Sequence, residues 1–308
     1  MSRRHLAMLS SLALLAMLSS LALLWGASFM FIKVAVRDLT PATLIMCRLG
    51  LAALTLAALA PFTVGTRETL SQLRANARWL VIVALINTAL AFWLLSWGET
   101  RIDSGLASII QAAVPIFNAV IAFGFFRDVR VTGARLLGVA IGFVGVAFLV
   151  SAQPQGKVLG ALAVVGMALC YGIGGLLAGK HLRLVPSHVV ALASTGISTL
   201  AILPLGIVQA PHHLPGWKVI GSVLALGIPG TALAYLLFFG LIAGAGAAYA
   251  SLVTYLIPPI ALAYGAIFLG ERFGATAFGG LALILGGVAL GTGVFTPSRL
   301  RRRLAQGV

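Results

Sequence analysis

The sequence predicts an all-α membrane protein: ten transmembrane helices, arranged as two inverted five-helix repeats, with the N and C termini cytoplasmic. Three observations carry this prediction, namely composition, ten apolar runs of helix length, and an internal repeat of odd span number. Of 308 residues, 60% are apolar and 9% charged, and the mean hydropathy is +1.08. Soluble domains carry far more charge. At about 20 residues per span, ten spans leave only short connections and two tails, with no room for a soluble catalytic domain.

The apolar runs lie near residues 8–31, 41–63, 79–98, 104–126, 134–152, 158–179, 187–209, 217–240, 246–269 and 275–296. Barrel strands would be half as long and would alternate polar with apolar residues. Arg3, Arg4 and His5 ahead of the first run give it the outline of a signal peptide, but it continues to Ile32 without a small-residue cleavage site, so it counts as a span. The segment Ala7 to Leu15 is duplicated at Ala16 to Leu24, which blurs where that helix starts.

Orientation follows from the basic residues flanking the spans. Arg3, Arg4, Arg67, Arg74, Arg78, Arg127, Arg130, Arg135, Lys180, Arg183, Arg299, Arg301, Arg302 and Arg303 make 14 on one side. Lys33, Arg37, Arg101, Lys157, Lys218 and Arg272 make 6 on the other, with Arg48 inside a span. The richer side is the cytoplasm. Trp79 and Trp217, at span entrances beside Arg78 and Lys218, suit the headgroup level as anchors. The +15 net charge is thus a topology signal, and nucleic acid is not an expected partner. Cys47 and Cys170 lie far apart within apolar runs, implying neither a disulfide nor a metal site.

The halves, 1–152 and 153–308, match when shifted by 143 residues. Thr88-Ala-Leu-Ala-Phe92 recurs as Thr231-Ala-Leu-Ala-Tyr235, Ser108 falls on Ser251, Pro115 on Pro258, and Asp128 on Glu271. Earlier in each half the shift is 145 or 146, pairing Pro41 with Pro186 and Trp25-Gly26 with Tyr171-Gly172. Five spans is an odd number, so the second copy enters the membrane from the opposite side. Inverted repeats of this kind build secondary transporters with a substrate site between the halves.

The stretches SGLASIIQAAVPIFNAVIAFGFFRD from Ser104 and ASLVTYLIPPIALAYGAIFLGERF from Ala250, with the Gly-Glu-Arg turn at 270–272, resemble the ten-helix EamA-type branch of the drug/metabolite transporter superfamily. The first half departs from that turn, reading Phe126-Arg127-Asp128. The resemblance implies transport of small metabolites, often outward, with amino-acid exporters of the YddG type as one branch.

Candidate cavity residues come from polar and aromatic side chains within spans. Ser104, Ser108, Gln111, Pro115 and Asn118 share a helical face, and Ser251, Thr254, Tyr255 and Pro258 form a matching stripe. Such stripes either line a cavity or hold helices together by hydrogen bonds. Pro115 and Pro258 are expected to bend their helices. Trp25, Trp93, Trp97, Tyr171, Tyr235 and Tyr255 offer stacking faces and one hydrogen-bonding handle each, where core packing is the alternative. Ser28, Asn87 beside Thr88, and Arg48 complete the candidates. Arg48 either attracts a substrate carboxylate or makes a structural contact, and its position about 10 Å into the helix leaves room to snorkel outward. Gly138 with Gly142, and Gly287 with Gly291, give small-xxx-small spacing for scaffold packing in the fifth and tenth spans. Spans 1, 3, 4, 6, 8 and 9 are left to line the cavity.

All six acids lie in or beside loops, so the expectation is facilitation down a gradient, or coupling without a midplane acid. No phosphate-binding glycine loop occurs, which excludes ATP-driven pumping by this chain, and no cofactor or metal is expected. The expected function is export of small amphipathic metabolites, amino acids including aromatic ones foremost, by a monomer in a bacterial inner membrane, with an oligomer left open. The alternatives are an intramembrane enzyme, which lacks a buried nucleophile–base pair in the sequence, a receptor or assembly subunit, and transport of another metabolite or drug.

Overall fold

The computed structural model describes residues 3–125 and 133–292. Arg127, Asp128, Arg130 and the cluster from Arg299 to Arg303 lie outside the described residues. Every element is helical, and no strand occurs among the described residues. Seven helical stretches are long and apolar enough to cross a membrane, and Leu136–Ser151, Val253–Leu269 and Ala275–Gly291 are shorter apolar helices.

Helix α1 spans Arg3–Ala35 and turns tightly into α2, Pro41–Thr63. Thr40 caps α2 by accepting from the Thr43 N–H, and Pro41 occupies the first turn, where its missing N–H costs nothing. A short helix absent from the sequence prediction follows, α3 at Thr66–Ala75. Its only buried residue is Thr69, and Glu68 and Arg74 sit at the dipole ends that favour them. The apolar runs conceal it because it is polar and short.

The third span is α4 (Ala77–Val83), a π-helical turn at Ala84–Leu90, and α5 (Ala91–Glu99). The eighth is built alike, from α11 (Trp217–Gly227), a π turn at Ile228–Leu233 and α12 (Ala234–Ala245). At the 143-residue shift the two π turns coincide, so the duplication extends to an irregularity of the backbone. A π turn leaves carbonyls off the regular ladder. Here they are taken up by side chains: Ser198 Oγ donates to Ala84 O at 2.9 Å, and Thr231 Oγ1 to Leu226 O at 2.8 Å.

The fourth span divides into α6 (Ser104–Gln111) and α7 (Val114–Phe125), with Pro115 just beyond the break. Then come α8 (Gly133–Ser151), α9 (Gln155–His181), α10 (Ser187–Val208), α13 (Ala247–Ala250), α14 (Val253–Leu269) and α15 (Ala275–Thr292). Pro258 and Pro259 both lie inside α14, whose helix continues through them; the interruption in this span comes earlier, at Ser251–Leu252.

Packing is mostly between halves. Helix α2 lies along α10, α1 against α14, α11 and α12, and α9 against α5, α6 and α7. Helices α8 and α15 pair at their glycines: a Cβ on Gly287 would stand 2.6 Å from Gly138 O and 2.7 Å from Gly142 Cα. Glycine therefore lets two backbones touch where lipid offers no hydrophobic drive for association.

Two ends of the bundle can be told apart. At one, Lys33 Nζ donates to Glu99 O (2.8 Å) and Ile102 O (2.6 Å), and Lys157 faces Asp103 at 3.9 Å. At the other, the Trp79 ring stacks on His181 at 3.5 Å with Arg78 over it, so Trp79 has a protein partner beyond the headgroup role its position suggested. Trp217 is 86% exposed.

Candidate functional site

A cavity of about 410 Å³ lies between the halves. Along the third span it is lined from Val83 to Leu95, a rise of about 18 Å. The lining pairs residues matched by the internal repeat: Trp25 with Tyr171, Thr88 with Thr231, and Phe92 with Tyr235. Both π turns face it, with Asn87 and Thr88 on one and Gly230 and Thr231 on the other. Asn87 fits because Gly174 of α9 stands opposite, where any Cβ would collide with the Asn87 side chain.

Arg48 is the one charged residue in this lining among the described residues. It does not snorkel. It is 4% exposed, its Nε donates to Thr231 Oγ1 at 3.0 Å, and its guanidinium carbon sits 4.4 Å from the Phe92 ring centroid. The Thr231 bond and the aromatic face offset part of the cost of burying the charge. Neither Nη makes a hydrogen bond to another described residue, so both retain donors for an anion. The repeat partner of Arg48, at a shift of 145 or 146, is Ala193 or Ser194. The cavity is thus two-fold in its aromatics and hydroxyls but polar at one pole in its charge.

The structure brings Trp25, Ser28, Arg48, Asn87, Gln111, Tyr171 and Tyr235 to this cavity. It does not bring Trp93, Trp97, Ser104, Ser108, Asn118, Ser251, Thr254 or Tyr255 there. Trp93 and Trp97 lie on another face of α5 from Phe92 and Leu95; they stack on each other, and Arg101 sits 3.5 Å over Trp97. The Ser104–Asn118 stripe assumed one continuous helix; the break at Ala112–Ala113 separates Asn118 from α6, and along α6 itself Ser104 and Ser108 lie toward the Glu271 end, so only Gln111 of the stripe reaches the cavity. Ser108 bonds its own helix at Gly105 O, and Asn118 lies against Gly172.

Ser104 serves Glu271, whose carboxylate accepts from Ser104 N (2.8 Å), Ser104 Oγ (2.9 Å) and Gly105 N (3.1 Å). Gly270, at φ 68°, ends α14 and aims Glu271 at the start of α6. The Gly-Glu-Arg turn is therefore a latch between halves. Of the second stripe, Ser251 is exposed and Thr254 bonds Ser251 O. Tyr255 lines a separate apolar groove with Leu18 and Leu285, and only Ile257 of α14 enters the cavity.

Residues that sequence reasoning left out include Phe92, Ser194, Phe238 and Phe239. The second and seventh spans line the cavity through Arg48, Val190, Ala191 and Ser194, contrary to the expected set of lining spans. Glu99 lies beside the 100–103 loop, as expected, at the end of α5, but it is 0% exposed and neither carboxylate oxygen has a hydrogen-bond partner among the described residues.

Two segments, residues 11–151 and 158–292, each match the EamA-like transporter family. The chain is 28% identical over 276 residues to a probable terminal-alkyne amino-acid exporter of Streptantibioticus cattleyicolor, covering 86% of this chain and 89% of that protein. It is 24% identical over 291 residues to a probable amino-acid metabolite efflux pump of Salmonella typhimurium, covering 90% and 94%. A solved crystal structure superposes with a TM-score of 0.67 at 17% identity, over 92% of this chain and 98% of that one, a likeness of fold. Apolar helices, fold and the double match agree: the chain is an integral membrane transporter, not an enzyme, and belongs to the EamA-like transporter family.

Proposed function

We propose that the protein is a secondary exporter of amino acids, aromatic ones included, which cross through the central cavity by alternating access. The observation that carries this is the single buried guanidinium, with both Nη free of bonds to described residues, set in a cavity otherwise lined by aromatic rings, aliphatic side chains, hydroxyls and two carboxamides. An α-carboxylate would take the Arg48 Nη donors, the Asn87 and Gln111 carbonyls would accept from the ammonium, and an apolar side chain would lie among Trp25, Phe92, Tyr171 and Tyr235. The names of the relatives from Streptantibioticus and Salmonella support the substrate class.

In this proposal the seven long helices and three shorter ones make ten spans, divided at 152/153 into inverted five-helix repeats with both termini cytoplasmic. Closure at the Lys33/Glu99/Glu271 end, which the charge distribution assigns to the outside, then corresponds to an outward-closed state.

The test is flux of radiolabelled L-phenylalanine, L-threonine and L-tryptophan from proteoliposomes, with unlabelled nucleosides and sugars as competitors. Release above protein-free vesicles, competed by amino acids alone, is expected. Release of none of the three would refute the proposal.

A further inference from the structure

Beyond the closed end of the cavity, Glu99 is an ionisable group without an obvious task. Leu95 and Ile32 are the last lining residues there. Glu99 follows Leu95 by one helical turn on the same face, and Lys33 follows Ile32, so both lie just past the floor of the cavity. Ile102, Leu106 and Ser104 around them are buried.

No neighbouring charge hydrogen-bonds the Glu99 carboxylate, although the Lys33 ammonium, held on the Glu99 backbone carbonyl, is near enough to favour its charged form and so opposes the effect of burial. Lys33 of α1 spends its ammonium on the Glu99 and Ile102 carbonyls. Arg48 of α2 is bonded to Thr231 and stacked on Phe92. Arg101 is bonded to Trp97 O and Thr100, and Asp103 is paired with Lys157 of α9. Helix α9 also presents Tyr171, and the turn after α14 presents Glu271, a like charge bound to the start of α6. Helix α6 offers no ionisable side chain.

A carboxylate sealed from bulk solvent and without a protein donor would bear most of its desolvation cost, whereas the neutral acid bears only that of a polar group. The same gap is harmless to a charge once the end opens and water enters.

We propose that Glu99 is a proton-binding site tied to the outer gate: closing this end places a proton on one Glu99 carboxylate oxygen, and opening it returns that proton to water. No other bond changes. The site deepens the transport proposal, because acid on the outer side then favours the outward-closed state. Linkage sets the size of the effect. If one proton leaves on opening, the open-to-closed ratio rises up to about tenfold per pH unit.

The test needs no substrate. Spin labels on Thr100→Cys and Arg272→Cys, both exposed positions straddling the Glu271 latch, are placed in a Cys47→Ala/Cys170→Ala background. Their distance distribution is recorded across pH, and infrared difference spectra are taken between the protein with and without Glu99→Gln. Expected are a protonated-carboxyl stretch that disappears in Glu99→Gln, and a long-distance population that grows with pH in the parent but stays small and flat in Glu99→Gln. Glutamine has the shape of the neutral acid, so this variant keeps the fold. Absence of the stretch, or the same pH response in both proteins, overturns the proposal. Neither result bears on amino-acid flux in proteoliposomes, which decides the transport proposal by itself.

Discussion

Replacing Arg48 by methionine separates recognition of a carboxylate from every other property of the cavity. In the wild type, Nε is committed to Thr231 and the two Nη groups are left for a ligand. A hydrogen bond to a charged group contributes about 1.5 to 3 kcal/mol, so one such bond is worth about a 10- to 150-fold preference for L-phenylalanine over 2-phenylethylamine, which has the same ring and amine but no carboxylate. In Arg48→Met this preference should fall to near unity while the affinity for 2-phenylethylamine changes little. The fold should survive, because Thr231 still donates to Leu226 O and a methionine of similar length relieves the desolvation cost of a buried charge without leaving a charged partner behind. The assay is competition against radiolabelled L-phenylalanine bound to purified protein, with thermal unfolding as the control. A variant that unfolds normally and still prefers the amino acid by the wild-type ratio would refute carboxylate recognition by Arg48.

Three further outcomes are expected. Gly287→Ala places a methyl 2.6 Å from Gly138 O, so α8 and α15 must part at a cost of about 1 to 3 kcal/mol; the adjacent Gly286→Ala, which meets nothing within 4 Å, should leave the unfolding temperature in detergent unchanged or higher. Glu271→Ala removes the cap from α6 and should destabilise by about 0.5 to 2 kcal/mol in the same melt, with equal loss in Glu271→Ala/Ser104→Ala because the two share one interaction. Gln111→Ala should raise the KM for amino-acid flux, whereas Trp97→Ala, which unseats Arg101 and Trp93 away from the cavity, should lower the unfolding temperature and leave KM unchanged.

Much of the fold was legible in the linear chain because the bilayer is a severe filter. Every spanning segment must satisfy its own backbone and be apolar for about 20 residues, so span limits such as Pro41–Thr63 could be read almost to the residue. The duplication was legible too, and its matched pairs Trp25/Tyr171, Thr88/Thr231 and Phe92/Tyr235 meet in the cavity. What periodicity misjudged are breaks in the helix and the depth of a residue along it. The break at Ala112–Ala113 parts Asn118 from Gln111, while Ser104 and Ser108 stay on α6 with Gln111 but sit toward the Glu271 latch and short of the cavity; Thr231, which the sequence reading did not single out as a cavity residue, reaches the cavity from the π turn at Ile228–Leu233.

Local composition by itself determined that this chain is a helical membrane protein, where its helices run, and that its halves are copies, since solvation by lipid and a repeated pattern both act along the chain. Which face of each helix turns inward, whether Arg48 meets lipid headgroups or Phe92 and Thr231, and whether Glu99 is exposed or buried were decided only by tertiary packing. Those properties depend on what stands across the gap from a side chain, and the neighbour of Arg48 is 183 residues away.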